Sequence, residues 1–366
     1  MQQNSSSQKH TALYEPFYDP SKSYEENYKN GPFGEFATKS GFTQSETEPE
    51  NSFLGKAVHT PFGIPAGPLL NANFVKAAFS FGFDVCVYKT VRSRTYPCHP
   101  KPNVLAVHVE GDLTLKQASG ELEADEQYTQ PLSITNSFGV PSMDPGIWQE
   151  DMSKAVQAAG LGQVCVGSFQ GTKDPKNASI EAFVNDHVTT ARLVKETKAP
   201  IMEINLSCPN EGTSDLLCFD TERVQQIAHA VKNEIGDTPL ILKLAYFESQ
   251  IHLEDMVKRL SPIVQAFSVI NTIPATIVDH NGNQALPGEG RSRSGVCGSA
   301  IKWAGLEMVE RLAALREKTN GGFEIVGVGG VMTKADYQEY RTAGANCVMS
   351  ATGAMWNPYL AQEIKQ

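Results

Sequence analysis

No stretch of this 366-residue chain holds the roughly 20 consecutive apolar residues that a bilayer span needs. Positive charge is short as well. The 31 Lys and Arg stand against 41 Asp and Glu, a formal net charge of −10, which argues against nucleic acid or an anionic membrane surface as a partner. Cysteine is sparse and scattered: Cys86, Cys98, Cys165, Cys208, Cys218, Cys297 and Cys347 form no C-x-x-C pair. The usual iron–sulfur and zinc spacings are therefore missing, and no metal site is expected. The start, Met1-Gln2-Gln3-Asn4-Ser5, lacks the basic-then-apolar layout of a secretory leader. With an odd number of dispersed thiols, this points to a cytoplasmic protein with reduced cysteines. An internal repeat and a convincing Rossmann fingerprint are both missing, and the second absence argues against direct use of NAD.

What remains is ordinary for a globular chain: 40% hydrophobic and 20% charged residues, with length enough for a sizeable core. Residues 1–52 are polar and rich in Ser, Glu, Tyr and Lys. Pro20-Ser21-Lys22-Ser23 and Glu46-Thr47-Glu48-Pro49-Glu50 read as coil. Aromatics at Tyr14, Phe17, Tyr18, Tyr24, Tyr28, Phe33 and Phe36 are too frequent for a linker, so this segment is expected to be an arm anchored on the body, residues 53–366.

In the body a strand–helix rhythm begins. Apolar runs bounded by turn formers, the pattern of buried parallel strands, fall at Ile64–Gly67, Val85–Thr90, Val164–Ser168, Ile201–Asn205, Leu240–Leu244, Ala266–Asn271, Ile325–Val328 and Asn346–Ser350. Helical stretches lie between them. The clearest is Thr221–Ile235, where Val224, Ile227, Ala228, Val231 and Ile235 form one stripe and Asp220 is placed to cap it. Others are expected at Phe74–Phe81, Trp148–Ala158, Ile180–Glu196, Leu253–Leu260, Ala300–Lys318 and Lys334–Ala343. This α/β alternation predicts a (β/α)8 TIM barrel, with a doubly wound open sheet as the alternative. Excursions at 91–145 and 274–298 follow strands, which in a barrel puts both on the carboxyl-end face that carries active sites.

Three features carry chemistry. In Ile204-Asn205-Leu206-Ser207-Cys208-Pro209-Asn210 a strand runs into a turn with a thiol between two amides. An ionised thiol can take a proton, and the amides of Asn205 and Asn210 suit a planar polar ligand. The second feature is a pair of late turns, Gly327-Val328-Gly329-Gly330 and Ala351-Thr352-Gly353. They follow strands seven and eight, where barrels commonly bind phosphate on bare backbone N–H groups. The third is lysine inside strands, Lys89 before Thr90 and Lys243 before Leu244. Lysine is seldom fully buried without a partner, and an anionic cofactor inside the barrel accounts for both. Asn136 and Asn271, with Asn205 and Asn210, form a set of amides suited to ringing a flat ligand.

These residues together resemble the soluble class 1 dihydroorotate dehydrogenases, which use a cysteine base. The resemblance rests on Asn205-Leu206-Ser207-Cys208-Pro209-Asn210, Lys89-Thr90, Asn136-Ser137, Lys243-Leu244, Asn271-Thr272, and Gly329-Gly330 followed by Thr352, over about residues 58–356. It implies an FMN-binding barrel that oxidises dihydroorotate to orotate in pyrimidine biosynthesis. Cys208 then takes a proton from C5 while a hydride passes from C6 to the flavin N5, and Lys243 faces the flavin N1/O2 edge. Lys89, Asn136, Asn205, Asn210, Asn271 and Thr272 are implied to hold the pyrimidine. The FMN site is implied to comprise Ala66, Gly67, Lys89, Thr90, Lys243, Gly298, Gly329, Gly330, Ala351 and Thr352. A homodimer is expected.

The chain departs from the family pattern in places. Ala351 stands where the family usually has glycine, the arm is longer than in compact members, and Asn357–Lys365 alone is left for the last helix. The loops Glu211–Asp215 and Gly290–Ser294 match nothing in the pattern. Two alternatives stay open: an FMN enzyme acting on another dihydropyrimidine such as dihydrouracil, and a non-redox barrel that binds a phosphorylated metabolite. The electron acceptor is open too, whether fumarate, NAD through a partner subunit, or another.

Overall fold

The computed structural model describes residues 13–38, 40, 42–177, 179–207 and 216–366. Eight parallel strands close into a barrel in sequence order: β1 (Phe62–Ile64), β2 (Val85–Val91), β3 (Val164–Phe169), β4 (Ile201–Asn205), β5 (Leu240–Leu244), β6 (Ala266–Val269), β7 (Glu324–Val328) and β8 (Cys347–Met349), with β8 pairing back to β1. The barrel follows from the two-residue period of a strand. One set of alternate residues, Val85, Val87, Val164, Val166, Ile201, Ile241, Val326 and Met349, packs in the interior, and a hairpin of Asn51–Phe53 and Lys56–Val58 adds Phe53 and Val58 to that cluster. The other set, including Cys86, Tyr88, Met202, Ile204 and Leu242, packs with the surrounding helices.

The helices form where the apolar stripes lie. Ile180–Glu196 and Thr221–Ile235 match expectation, and the Asp220 side chain accepts from Arg223 N. Thr333 caps Lys334–Thr342 with a reciprocal bond to Asp336. Several boundaries move. The first strand lies at Phe62–Ile64 rather than Ile64–Gly67, so Ala66 and Gly67 belong to the turn after it. The strand expected at Ala266–Asn271 ends at Val269, and Asn346–Ser350 shortens to Cys347–Met349. The Ala300–Lys318 stretch opens as a 3-10 turn, Ser299–Ile301, before the helix Lys302–Thr319.

The two excursions build one object. Val104–Val107, Glu121–Asp125, Ser133–Asn136, Ile273–Val278 and Arg293–Gly298 form a second, five-stranded closed barrel. Its Gly295 pairs with Asn136, which in turn pairs with Val104. The strands within 274–298 gave no clear sign in a stretch rich in Gly, Asn and Arg.

The arm is not all coil. Tyr24–Asn30 is a helix capped by Ser23, whose Oγ accepts from Glu26 N at 3.1 Å while Ser23 N donates to Glu26 at 2.8 Å. Phe17, Tyr18, Tyr24 and Phe36 are buried in the main core. Phe17 N donates to Met355 O, and Tyr14 N to Trp356 O, each at 3.1 Å.

Candidate active site

At the carboxyl ends of the strands the inward side chains turn polar. Val85 and Val87 on β2 are followed by Lys89, Ile201 on β4 by Glu203 and Asn205, and Ile241 on β5 by Lys243. Lys243 stands in register between Asn205 and Ser268 on the neighbouring strands. The β2–β3 register shifts between Tyr88 and Val91. A break in register re-aims side chains, and the consecutive Lys89 and Thr90 both line one cavity above the barrel.

The same cavity is lined by Ala66, Gly67, Asn136, Asn205, Lys243, Asn271, Thr272, Ala351 and Thr352. Gly298, Gly329 and Gly330 line a smaller cavity that shares Asn271, Ala351 and Thr352 with it. The structure thus brings together every residue singled out from the sequence except Cys208 and Asn210, which lie outside the described residues.

The site has a definite electrostatic build. Lys89 and Lys243 are only 6% and 4% exposed, and no carboxylate occurs among the described residues lining the main cavity. Lys243 Nζ donates to Ala66 O at 3.2 Å. One layer deeper, Glu203 is 1% exposed. Burial pushes its carboxyl up, while the Lys243 charge and the hydrogen bond from Ser168 draw it down. Ser168 Oγ donates to Glu203 at 3.0 Å and lies 3.0 Å from Thr90 Oγ1. This chain of hydrogen bonds ties the cavity floor to three strands.

The amides are oriented by their neighbours. Asn205 Nδ2 donates to Gln170 Oε1 at 2.9 Å, and Asn271 Nδ2 donates to Ser207 O at 2.7 Å. That second bond holds the backbone immediately before Cys208 in sequence. Asn136 Nδ2 and Thr352 Oγ1 both donate to Cys297 Sγ at 3.5 Å. Burial pushes the Cys297 thiol up, against the pull of these two hydrogen bonds and of the Lys243 charge. At the smaller cavity Gly329 and Gly330 have φ of +127° and +66°. A Cβ on Gly330 would lie 2.6 Å from the Lys302 Cβ, so only glycine keeps this turn bare.

Three contributors escaped the sequence reading. Cys297 gave no signal beyond its place before Gly298. Tyr18 of the arm lines the main cavity, and its aromatic neighbours in sequence pointed to packing only. Phe138, Gly139 and Val140 complete one wall of the cavity; the adjacent Asn136 was the one available pointer.

The family model for dihydroorotate dehydrogenase matches residues 126–366. A dihydroorotate dehydrogenase from Dictyostelium discoideum is 33% identical over 362 residues, covering 96% of this chain and 97% of the relative. A dihydroorotate dehydrogenase (quinone) from Kineococcus radiotolerans is 26% identical, covering 89% of this chain and 82% of the relative. The solved structure of an Eimeria tenella enzyme, described as DHODH in complex with ferulenol, superposes with a TM-score of 0.64 at 20% identity. It covers 85% of this chain and 81% of that one, which establishes the shared fold.

Proposed function

The chain belongs to the dihydroorotate dehydrogenase family, and we propose that it oxidises dihydroorotate to orotate with FMN, using Cys208 as the base. The observation that carries this reading is the convergence of two buried lysines, three described asparagines and two glycine turns on adjoining cavities at one end of the barrel.

FMN fits the residues present. The bare turn at Gly329-Gly330, with Gly298, Ala351 and Thr352, suits a phosphate held by backbone N–H groups. The lining of Ala66, Gly67, Lys89, Thr90 and Lys243 suits a planar, anion-forming ring. FMN, when bound, supplies the acceptor for the hydride that leaves C6 of the substrate. Lys243 would set a positive charge beside the bound ring, worth most where water is excluded.

Asn136, Asn205, Asn210, Asn271 and Thr272 orient the pyrimidine by hydrogen bonds. Lys89 and the backbone N–H groups of Phe138–Val140 face its carboxylate. Cys208, as thiolate, takes the C5 proton. Asn205-Leu206-Ser207-Cys208-Pro209-Asn210 supports the cysteine-base type of the family.

The test is an anaerobic mix of the purified protein with dihydroorotate. We expect a yellow protein with one FMN per chain whose visible absorbance bleaches with dihydroorotate and not with dihydrouracil. Release of FAD, or of no flavin, removes the cofactor assignment; bleaching by dihydrouracil alone replaces the substrate.

A further inference from the structure

The cavity wall at 136–140 is held from behind at every residue. Five successive carbonyls accept hydrogen bonds: Asn136 O from Ser294 Oγ at 2.8 Å, Ser137 O from Arg291 Nη2 at 3.1 Å, and Phe138 O from His99 N at 3.0 Å. Gly139 O then accepts from Arg92 Nη2 at 3.3 Å and Val140 O from Arg92 Nε at 2.9 Å. A trans peptide points its N–H opposite its C=O. The N–H groups of Phe138, Gly139 and Val140 are therefore turned away from these partners, and they find no protein acceptor among the described residues.

The turn would not take this shape unaided. Val140 has φ +53° and Gly139 φ +75°; a β-branched residue rarely enters the left-handed region. Arg92, 1% exposed, grips both carbonyls with one fork. The arginine is itself fixed: its N donates to Ser142 Oγ at 3.0 Å, its carbonyl accepts from Trp148 Nε1 at 3.1 Å, and the Tyr96 ring lies 4.0 Å from the guanidinium. Arg291, 5% exposed, reaches the same wall from the second excursion. Its Nε donates to Ser137 Oγ at 3.1 Å, and Nη1 donates to Pro100 O at 2.8 Å. Two buried guanidiniums thus stand behind one ligand-facing strip of backbone.

We propose that Arg92 and Arg291 form a guanidinium clamp, a pair of positioning residues that present the 138–140 N–H groups to the anionic group of the substrate and place positive charge behind them. The inference rests on the dihydroorotate reading, which supplies that anion. Neither arginine is placed at the reacting atoms. The clamp sets how tightly the anion is held and leaves the proton and hydride steps to other residues. Lysine keeps the charge but lacks the rigid planar fork that fixes both carbonyls in one geometry.

The test is rapid-mixing flavin reduction by dihydroorotate in the full-length, FMN-loaded protein, comparing the parent with Arg92→Gln, Arg92→Lys and Arg291→Gln. The concentration dependence yields substrate Kd separately from the limiting rate. We expect Arg92→Gln and Arg291→Gln to raise Kd roughly ten- to a hundredfold, the range for losing hydrogen bonds from a charged group. FMN content should be retained and the limiting rate should stay within about threefold of the parent. Arg92→Lys should recover part of the loss in Kd.

Parent-like Kd in the glutamine variants overturns the clamp. So does a variant that loses FMN and limiting rate with Kd unchanged, since that is the mark of a purely structural role. If Arg92→Gln does not fold, Arg92→Lys decides: a parent-like Kd counts against the clamp and a raised Kd at parent-like limiting rate supports it. A parent that dihydroorotate does not reduce overturns the reaction itself; a reducible parent beside parent-like variants overturns only the clamp.

Discussion

Lys243 shows how one buried charge serves two purposes. It sits in register beside Asn205, pairs electrostatically with Glu203 a layer below, and donates to Ala66 O. Its position is thus set by the barrel whatever ligand is bound. Lys243→Ala should slow flavin reduction by about 10²–10³, the usual cost of one electrostatic contact to developing charge; single-turnover bleaching with dihydroorotate measures this. Near-parental bleaching would remove Lys243 from the reaction.

Cys208 follows Ser207, whose carbonyl is held by the Asn271 side chain. An unperturbed thiol titrates near about 8.5, so only a small fraction is thiolate at neutral pH. Flavin reduction should therefore accelerate with rising pH until the thiol is ionised. Cys208→Ala should retain FMN and lose this rise along with most of the rate. Cys208→Ser, a far weaker acid, should keep a small remnant. A parental pH profile in the alanine variant assigns the proton to another base.

At the scale of elements, the last helix is fastened by a half-buried lysine on a buried carboxylate. Leu360–Lys365 carries Lys365, whose Nζ donates to Asp84 at 3.0 Å and approaches its second oxygen to 2.8 Å. Asp84 also accepts from Thr60 N at 2.8 Å and from Gln44 at 3.2 Å, so one carboxylate joins helix, barrel and arm. Burial raises the Asp84 pKa, against the opposing pull of Lys365. Lys365→Met leaves that carboxylate buried without its cation, a change that typically costs about 3–5 kcal/mol.

The sign of the pH dependence follows from linkage. A carboxyl whose folded pKa lies above its unfolded value binds protons more tightly in the native state. Stability then rises as the pH falls from above the folded pKa towards the unfolded one. The deficit of Lys365→Met should accordingly shrink on acidification from neutral pH towards the ordinary carboxylate range. Urea titrations of parent and variant at two pH values measure it; a deficit that grows on acidification contradicts the buried-charge account.

Across the whole molecule, the arm and the second barrel complete a site that the main barrel opens. Phe17 stacks on Phe36 with centroids 4.5 Å apart and meets Phe74 edge-on at 6.2 Å. Next to it in sequence, Tyr18 lines the cavity and packs edge-on against Phe138 of the wall at 5.4 Å. Phe17→Ala should destabilise the protein by about 3–5 kcal/mol, the cost of emptying a packed aromatic site. It should also weaken FMN retention by loosening Tyr18. The shift in denaturation midpoint and the Kd for FMN give the two numbers; an unchanged midpoint means the arm is dispensable packing.

The sequence alone determined the local order of the main barrel. Its strands are doubly apolar runs, its helices carry one-sided stripes, and each is written within a short window of residues. The lysines inside Val85–Thr90 and Leu240–Leu244, the thiol between two amides and the glycine turns were legible for the same reason: the residue type is improbable in its local setting. Tertiary structure decided what depended on distant partners. The second barrel needs Ser133–Asn136 to meet Arg293–Gly298, and no local period announces such a pairing. The shift of the first strand to Phe62–Ile64 was set by pairing with β2 and β8. Arg92 and Arg291 lie far in sequence from residues 137–140, and only folding buried them against the carbonyls of Ser137, Gly139 and Val140. A local pattern reports which face of an element is apolar; only the closed fold determines which polar groups lose water together, and there the chemistry of the site is decided.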